Sequence, residues 1–393
     1  MKIGITCYPT YGGSGAVAAE LGVALAKHGH EVHFISYKQP FRLPAFTPRV
    51  YFHEVDVGRY PLFEYPPYDL ALAVRMHEVV IKHGLDLLHC HYAIPHATSA
   101  WIAREMLQLT GTYIPVVTTL HGTDITIVGQ DPSFQPITKF SIEKSDGLTS
   151  VSTFLQQETL TTFGCTACRI EVIPNFIDPE VYDRSRHTSV LDEQVDSTTR
   201  VLMHVSNFRP VKRITDVVQV FARVAKKIPS VLVMVGDGPD RGDAELEARS
   251  LGVDDRVFFL GKIDTVAPLL AGADLFLLPS DRESFGLSAL EALASGVPVI
   301  GANVGGLPEV VRDGETGFLC DVGDVQGMAD ASIELLSNDS RWQAMSTLAA
   351  RDARERFSQA AIVRQYEEFY NYVLSLPSTI ARKAAVARGA ASS

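Results

Sequence analysis

Two cations stand close together in Ser206-Asn207-Phe208-Arg209-Pro210-Val211-Lys212-Arg213. Arg209 and Lys212 follow an apolar run and open a helical pattern, where they can clamp a diphosphate without a metal. Helix starts normally attract acids, so cations there call for an anionic ligand. Arg213 beside them reads as solvated. Further along, Glu283 and Glu291 frame Glu283-Ser284-Phe285-Gly286-Leu287-Ser288-Ala289-Leu290-Glu291, with seven residues between the acids. If the chain is helical from Ser284, eight steps cover about 12 Å, so one acid can meet a sugar ring and the other a ribose. Gly286 and Leu287 would present free first-turn amides to a phosphate. Paired acids at this spacing are common on helices. The strand before them and the Ser-Phe-Gly-Leu between them set this pair apart.

The N-terminal half carries a second set. Gly12-Gly13-Ser14-Gly15 opens a helix, where a bare backbone can approach a ligand and the helix start favours an anion. Gly13-x-Gly15-x-x-Ala18 fits a loose dinucleotide fingerprint. However, the strand before it ends near Cys7, too far back for the tight turn, and the next strand ends in Ser36-Tyr37-Lys38 with no acid for a ribose. A nicotinamide-dependent oxidoreductase is therefore disfavoured, and no cofactor is expected. His121-Gly122-Thr123-Asp124 follows another strand and places His121 for a hydrogen bond to substrate. The plain alternative is a capping Thr/Asp with a bystander histidine. Gly305-Gly306-Leu307-Pro308-Glu309 is a further glycine turn of secondary weight.

These loops need strands to hold them. Short apolar runs at residues 3–7, 32–36, 87–90, 116–119, 148–151 and 170–173 alternate with helical patterns. The first helix carries Val17, Leu21, Ala24 and Leu25 on one face and stops at Gly29. The second half repeats this at 201–205, 231–235, 257–260, 275–278 and 298–300, with Val217, Phe221, Val224 and Ile228 marking a helix after the first run. Strand-helix-strand units of this kind pair in parallel, and continuous apolar strands are covered on both faces. The expected architecture is α/β, with two doubly wound domains facing across a cleft and the motifs at the carboxyl ends of the strands. The domains run 1–178 and 200–359, with a polar junction at 179–199. A helix over 360–376 returns to the N-terminal domain, and 377–393 is expected to be a disordered tail.

The chain has 393 residues, of which 46% are hydrophobic and 21% charged, so a disordered chain and a small disulfide scaffold are excluded. Lys+Arg number 35 against 46 Asp+Glu, a net charge of −11. That argues against a general binder of nucleic acid or anionic membrane, so phosphate must meet local positive charge. No apolar stretch is long enough to span a bilayer, and the N-terminal run is too short for a signal segment, so a cytoplasmic setting is expected. The five cysteines then read as reduced thiols. Cys165-x-x-Cys168 could be half a zinc site or a redox pair, but it has no second pair or histidine at ligand spacing. His89 and His91 share one strand face with Cys90 on the other, and His28 and His30 flank the turn at Gly29. No metal site is expected.

Together, Glu283/Glu291 with Arg209 and Lys212 upstream resemble the retaining glycosyltransferases of family 4, over nearly the whole chain. The resemblance implies the GT-B fold of two Rossmann-like domains. Ile3-Gly4-Ile5-Thr6-Cys7-Tyr8-Pro9-Thr10, the Gly12–Gly15 turn, His91-Tyr92-Ala93-Ile94-Pro95-His96 and Leu120-His121-Gly122-Thr123-Asp124 are similar to the bacillithiol-pathway members. That likeness implies transfer of N-acetylglucosamine from UDP-GlcNAc to the hydroxyl of L-malate, with retention. It assigns Arg209 and Lys212 to the diphosphate, Glu283 to donor hydroxyls and Glu291 to the ribose. Gly286 and Leu287 amides meet phosphate, and His121 meets the donor sugar. Gly12, Gly13 and Ser14 meet the acceptor and the donor phosphate. Asn207 and Phe285 complete the donor set by lying within its loops. Tyr92, Thr119 and Asn207 are acceptor candidates by position after strands. The absence of an Asp-x-Asp triplet fits a metal-independent transferase, and a homodimer is compatible.

Three other readings stay open. A family 4 enzyme for an inositol phosphate would want extra cations near the Gly12–Ser14 loop, where Lys38 and Arg42 are nearest. A lipid-linked or growing glycan acceptor would want a basic apolar patch, for which Pro40-Phe41-Arg42-Leu43-Pro44-Ala45-Phe46 is short. A non-catalytic nucleotide-sugar binder would not need the full set of Glu283, Glu291, Arg209, Lys212 and His121.

Overall fold

The computed structural model describes residues 1–58, 64–165, 168–188, 195–196 and 198–390. Residues 189–194 and 197 of the polar junction, and the last three of the tail, lie outside the described residues. The chain divides into two compact units, Met1–Pro174 with Ala360–Ser393, and Asn175–Gln359.

The first unit is built on a seven-stranded parallel sheet: β1 (Lys2–Thr6), β2 (Glu31–Ser36), β3 (Val50–Glu54), β4 (Leu87–His91), β5 (Val116–Leu120), β6 (Gly147–Ser150) and β7 (Ile170–Val172). Its order is β3-β2-β1-β4-β5-β6-β7. The helix Gly13–Lys27 buries Val17, Leu21, Ala24 and Leu25, which fixes its face on the sheet. Strand β3 carries no clear apolar run because it is the outer strand, and its burial is only partial.

The helix Gln359–Ser375 belongs to this unit and buries Val363, Tyr366, Phe369, Tyr370 and Val373. Glu367 on it lies 3.2 Å from His28 Nδ1 and 2.8 Å from His30 Nε2, so this pair fastens the helix. The expected disordered tail is corrected: Pro377–Ala390 is a helix. Proline at its first turn and an Ala/Arg/Lys-rich body favour helix. Its Arg382 bonds the Tyr113 hydroxyl and Asp146, both at 3.0 Å.

The second unit holds β8 (Arg200–Val205), β9 (Ser230–Val235), β10 (Val257–Gly261), β11 (Leu275–Leu278), β12 (Val299–Ala302) and β13 (Gly317–Cys320). The order β10-β9-β8-β11-β12-β13 repeats that of the first unit, less one strand. The helix Ile214–Val224 buries Val217, Phe221 and Val224. Ile228 lies beyond it, in the turn to β9, and packs against the same core. In both sheets the order reverses once, between β1 and β4 and between β8 and β11. Ligands of such sheets bind outside the carboxyl ends of the strands at that reversal.

The expectation of reduced thiols throughout is also corrected, since Cys165 and Cys168 form a disulfide. Gly164 ends the helix Thr153–Phe163 in the left-handed conformation, and the two Cα atoms lie 5.5 Å apart, within disulfide range. Cys7, Cys90 and Cys320 are free thiols. No helix among the described residues is long and apolar enough to cross a membrane.

Candidate active site

At the reversal in the second unit, β8 runs into a loop and then a single 3₁₀ turn, Pro210–Lys212. Arg213 takes a left-handed conformation, and the helix starts only at Ile214. Arg209 and Lys212 therefore sit in the approach to the helix rather than in its first turn. Lys212 Nζ donates to Glu283 Oε1 at 2.5 Å, and Ser280 Oγ donates to the same oxygen at 2.9 Å. The Asp281 amide donates to the Val211 carbonyl at 2.9 Å and stitches the β8 loop to the β11 loop. Arg213 is not simply solvated: it is held by Asp216 at 2.7 Å and Asp281 at 3.2 Å. Arg209 is exposed and has no acidic partner among the described residues. Asn207 is half-buried in the same loop, with its carbonyl accepting from the Arg209 amide at 2.6 Å.

The expected helix from Ser284 is shortened. It runs Leu287–Ala294, because Gly286 has φ +96°, a left-handed conformation that a helix cannot contain. Glu283 therefore rides on the loop and Glu291 on the helix. Both are nearly buried, at 8% and 4% exposure, which for acids demands partners. Glu291 accepts from the Tyr182 hydroxyl at 2.6 Å. Glu283 is held through its backbone as well. The Gly306 amide donates to the Glu283 carbonyl at 2.8 Å, and a Cβ at Gly305 would lie 1.9 Å from that oxygen. The secondary glycine turn is thus the backing of Glu283. The Phe285 ring is buried edge-to-face on Phe357, centroids 5.6 Å apart, so its side chain serves packing and not a ligand.

In the first unit the corresponding loops follow β1, β4 and β5. Gly12 precedes the helix Gly13–Lys27, whose first turn carries no acid. Gly13 is exposed, with Gly12 and Ser14 half-buried beside it. His121 Nε2 lies 2.8 Å from His91 Nδ1, and the Tyr92 ring is 5.3 Å from the His121 ring. Asp124 accepts from the amides of Ala93 at 3.1 Å, Gly122 at 3.0 Å and His121 at 3.3 Å. It therefore ties the β4 loop to the β5 loop, which is more than helix capping. Burial pushes the Asp124 carboxyl up to about 6 and His121 down to about 3, the latter helped by His96. Burial holds His91 well below its usual range too. Both imidazoles are therefore neutral at pH 7, able to donate and accept hydrogen bonds but carrying no charge. Thr119 is not at the site. Its hydroxyl is buried between His89 at 2.7 Å and Thr149 at 2.6 Å, under the helix Gln359–Ser375. Strand alternation turns it to that covered face.

Two residues that sequence reasoning missed complete the second-unit loops. Tyr182 comes from the polar junction between the two domains, with no local motif to mark it. His204 on β8 donates through Nδ1 to the Leu277 carbonyl at 2.8 Å and accepts from Ser206 Oγ at 2.7 Å. That fixes its tautomer and ties β8 to β11 below the loops. A histidine inside an apolar strand was the available signal.

Residues 11–181 match the family model described as Glycosyltransferase Family 4, and residues 188–362 that of Glycosyl transferases group 1. The chain is 49% identical over 375 residues to N-acetyl-alpha-D-glucosaminyl L-malate synthase of Bacillus anthracis, covering 95% of this chain and 97% of that one. The chain belongs to glycosyltransferase family 4. This family 4 glycosyltransferase is also 31% identical to D-inositol 3-phosphate glycosyltransferase of Mycobacterium bovis, over 87% of its own length and 75% of the relative's. Its fold matches sucrose-phosphate synthase from Thermosynechococcus elongatus, with a TM-score of 0.78 at 22% identity over 95% of this chain and 99% of that one. It also matches Anabaena HepE in complex with UDP and glucose, with a TM-score of 0.73 at 22% identity over 96% and 100%. The fold is therefore GT-B, with the two topologically similar sheets described above.

Proposed function

We propose that this glycosyltransferase moves N-acetylglucosamine from UDP-GlcNAc to the hydroxyl of L-malate, with retention and without a metal. The observation that carries this reading is the 49% identity, across 95% of the chain, to a synthase of that name. Lys212 and Arg209 take the diphosphate, where fixed cations stabilise the charge that builds on departing UDP. In the resting site Lys212 is bonded to Glu283 at 2.5 Å, so donor binding exchanges that contact for phosphate and leaves Glu283 free for sugar hydroxyls. Gly286 and Leu287 offer amides, and Glu291, oriented by Tyr182, takes the ribose. The bond from the sugar carbon to malate oxygen forms on the face from which the phosphate oxygen leaves, and the departing phosphate takes the hydroxyl proton. Neutral His121 supplies a hydrogen bond near that carbon. Gly12, Gly13 and Ser14, with Tyr92 and Asn207, meet the acceptor carboxylates. The proposed setting is the cytoplasm, with the enzyme acting alone or as a homodimer.

An inositol phosphate is the rival acceptor, on the 31% relative. It is disfavoured because that relative is less similar, at 31% against 49% identity. The test is UDP release from UDP-GlcNAc in EDTA, with L-malate, D-malate, inositol 1-phosphate or no acceptor. Turnover with L-malate alone and a product of matching mass is expected. Turnover only with inositol 1-phosphate, or only with added metal, overturns the acceptor or the metal independence respectively.

A further inference from the structure

Three histidines outside the reaction chemistry converge at the outer edge of the first sheet. His33 is central on β2, His53 is on β3, and His83 ends the helix Tyr68–His83. One nitrogen from each lies within 4.8 Å of the others. The His33 and His53 rings stack 5.1 Å apart, and His83 lies 4.6 Å and 5.0 Å from them. His33 is fully buried, an unusual place for an imidazole without a task. Its Nε2 is 3.0 Å from Glu31 Oε1 and its Nδ1 is 2.8 Å from His53 Nε2. A carboxylate on the far nitrogen of a histidine is the arrangement that orients metal-ligating imidazoles. A cavity beside the cluster is bounded by His53, His83, Arg75, His77, Glu78 and Lys82, so solvent or a fourth ligand has access.

We infer that His33, His53 and His83 form a binding site for a borderline divalent transition metal such as zinc, backed by Glu31. Imidazole donors select zinc, cobalt, nickel or copper over magnesium and calcium. Glu31 accepts the His33 Nε2 proton, so His33 Nδ1 carries the lone pair and His53 Nε2–H donates to it. A metal takes the place of that shared proton, while His53 moves its hydrogen to Nδ1 and keeps its neutral charge. Arg75 and Lys82 face His53 and Lys2 sits 3.4 Å from Glu31, so these cations oppose the ion. Glu31 and Glu78, the latter 2.9 Å from Arg75, offset them. Bound metal would fasten the outer strand β3 to β2 and to the helix end. No ligand spacing marks the site in sequence, because its members come from three separate elements.

The test uses the full chain without an affinity tag, freed of metal, and titrated with zinc or cobalt at neutral pH. Expected are one equivalent bound with micromolar or tighter affinity, the visible spectrum of nitrogen-ligated cobalt, and a raised Tm. His83→Asn and His53→Gln should each abolish the saturable phase, and Glu31→Gln should weaken it about 10–100-fold. UDP release in EDTA should be unchanged in His83→Asn, which also reports that this variant folds. Absence of a one-equivalent phase, or its survival undiminished in His83→Asn, overturns the site.

Discussion

The carboxyl ends of the two sheets are built on the same strand order but in opposite electrostatic styles. In the second unit the loops after β8 and β11 hold formal charges: Arg209 is exposed, and Lys212 is balanced by Glu283. In the first unit the loops after β4 and β5 hold buried, neutral histidines around an amide-bound Asp124. The difference teaches that the shared topology supplies positions, not chemistry. A diphosphate needs cations kept hydrated enough to stay charged. A sugar hydroxyl is instead met by oriented neutral donors and acceptors.

The comparison is sharpest at Lys212. Lys212→Ala should lower kcat by about 10²–10³-fold, as loss of one fixed donor to developing negative charge does elsewhere. Steady-state UDP release measures it, and near-wild-type kcat would show that the charged half does not act on the leaving group. Glu291→Ala should instead act on ground-state binding, raising KM for the UDP-sugar about tenfold with a smaller change in kcat. An unchanged KM removes Glu291 from the ribose.

Acid separates the halves by stability. In the first unit His33, His53, His89, His91, His96 and His121 are all held below their usual range, mainly by burial, several to about 3 or 4. In the second unit His204, at about 4, is the one so shifted among the described residues. A lowered histidine leaves the unfolded chain binding more protons between about pH 6.5 and its folded value. Stability is thus intact above pH 6.5 and falls as pH drops, by up to about 1.4 kcal/mol per pH unit for each histidine kept neutral. Asp124, raised to about 6, works the other way over pH 4–6 and offsets one of them. Hydrogen exchange at pH 5 against pH 7 should show the first unit opening before the second. Equal loss in both units contradicts the assignment. The smallest effect is expected for Tyr182→Phe, which removes one hydrogen bond to Glu291 worth about 1 kcal/mol. KM for the donor should rise a few-fold, and no rise would mean that Tyr182 only fills space.

Legibility in the sequence followed locality. The runs that became β1, β2, β4, β5, β8, β9 and β11 are continuous and apolar because both faces are covered. The edge strands β3 and β13 are short and partly exposed, so their pattern is diluted. Lys212 and Glu283 could be singled out because each sits in a recognisable loop after a strand. Their mutual contact could not, since it joins loops 71 residues apart. Thr119 failed as a candidate for a related reason: position after a strand does not say which face the side chain takes at the strand's end.

The sequence by itself determined the two repeated α/β units, the loops that carry chemistry and the cationic and acidic residues within them. These are properties of periodicity and local spacing, which short-range sterics and solvent exposure dictate. Only the tertiary structure decided which of those residues are paired, buried or neutral. It joined Tyr182 to Glu291, set Gly305 and Gly306 behind Glu283, and stripped His121 of charge by burial. It also folded residues 377–390 into a helix and gathered three histidines at a sheet edge. Each of these depends on contacts between distant segments and on the water they exclude, and neither quantity is written in any local stretch of the chain.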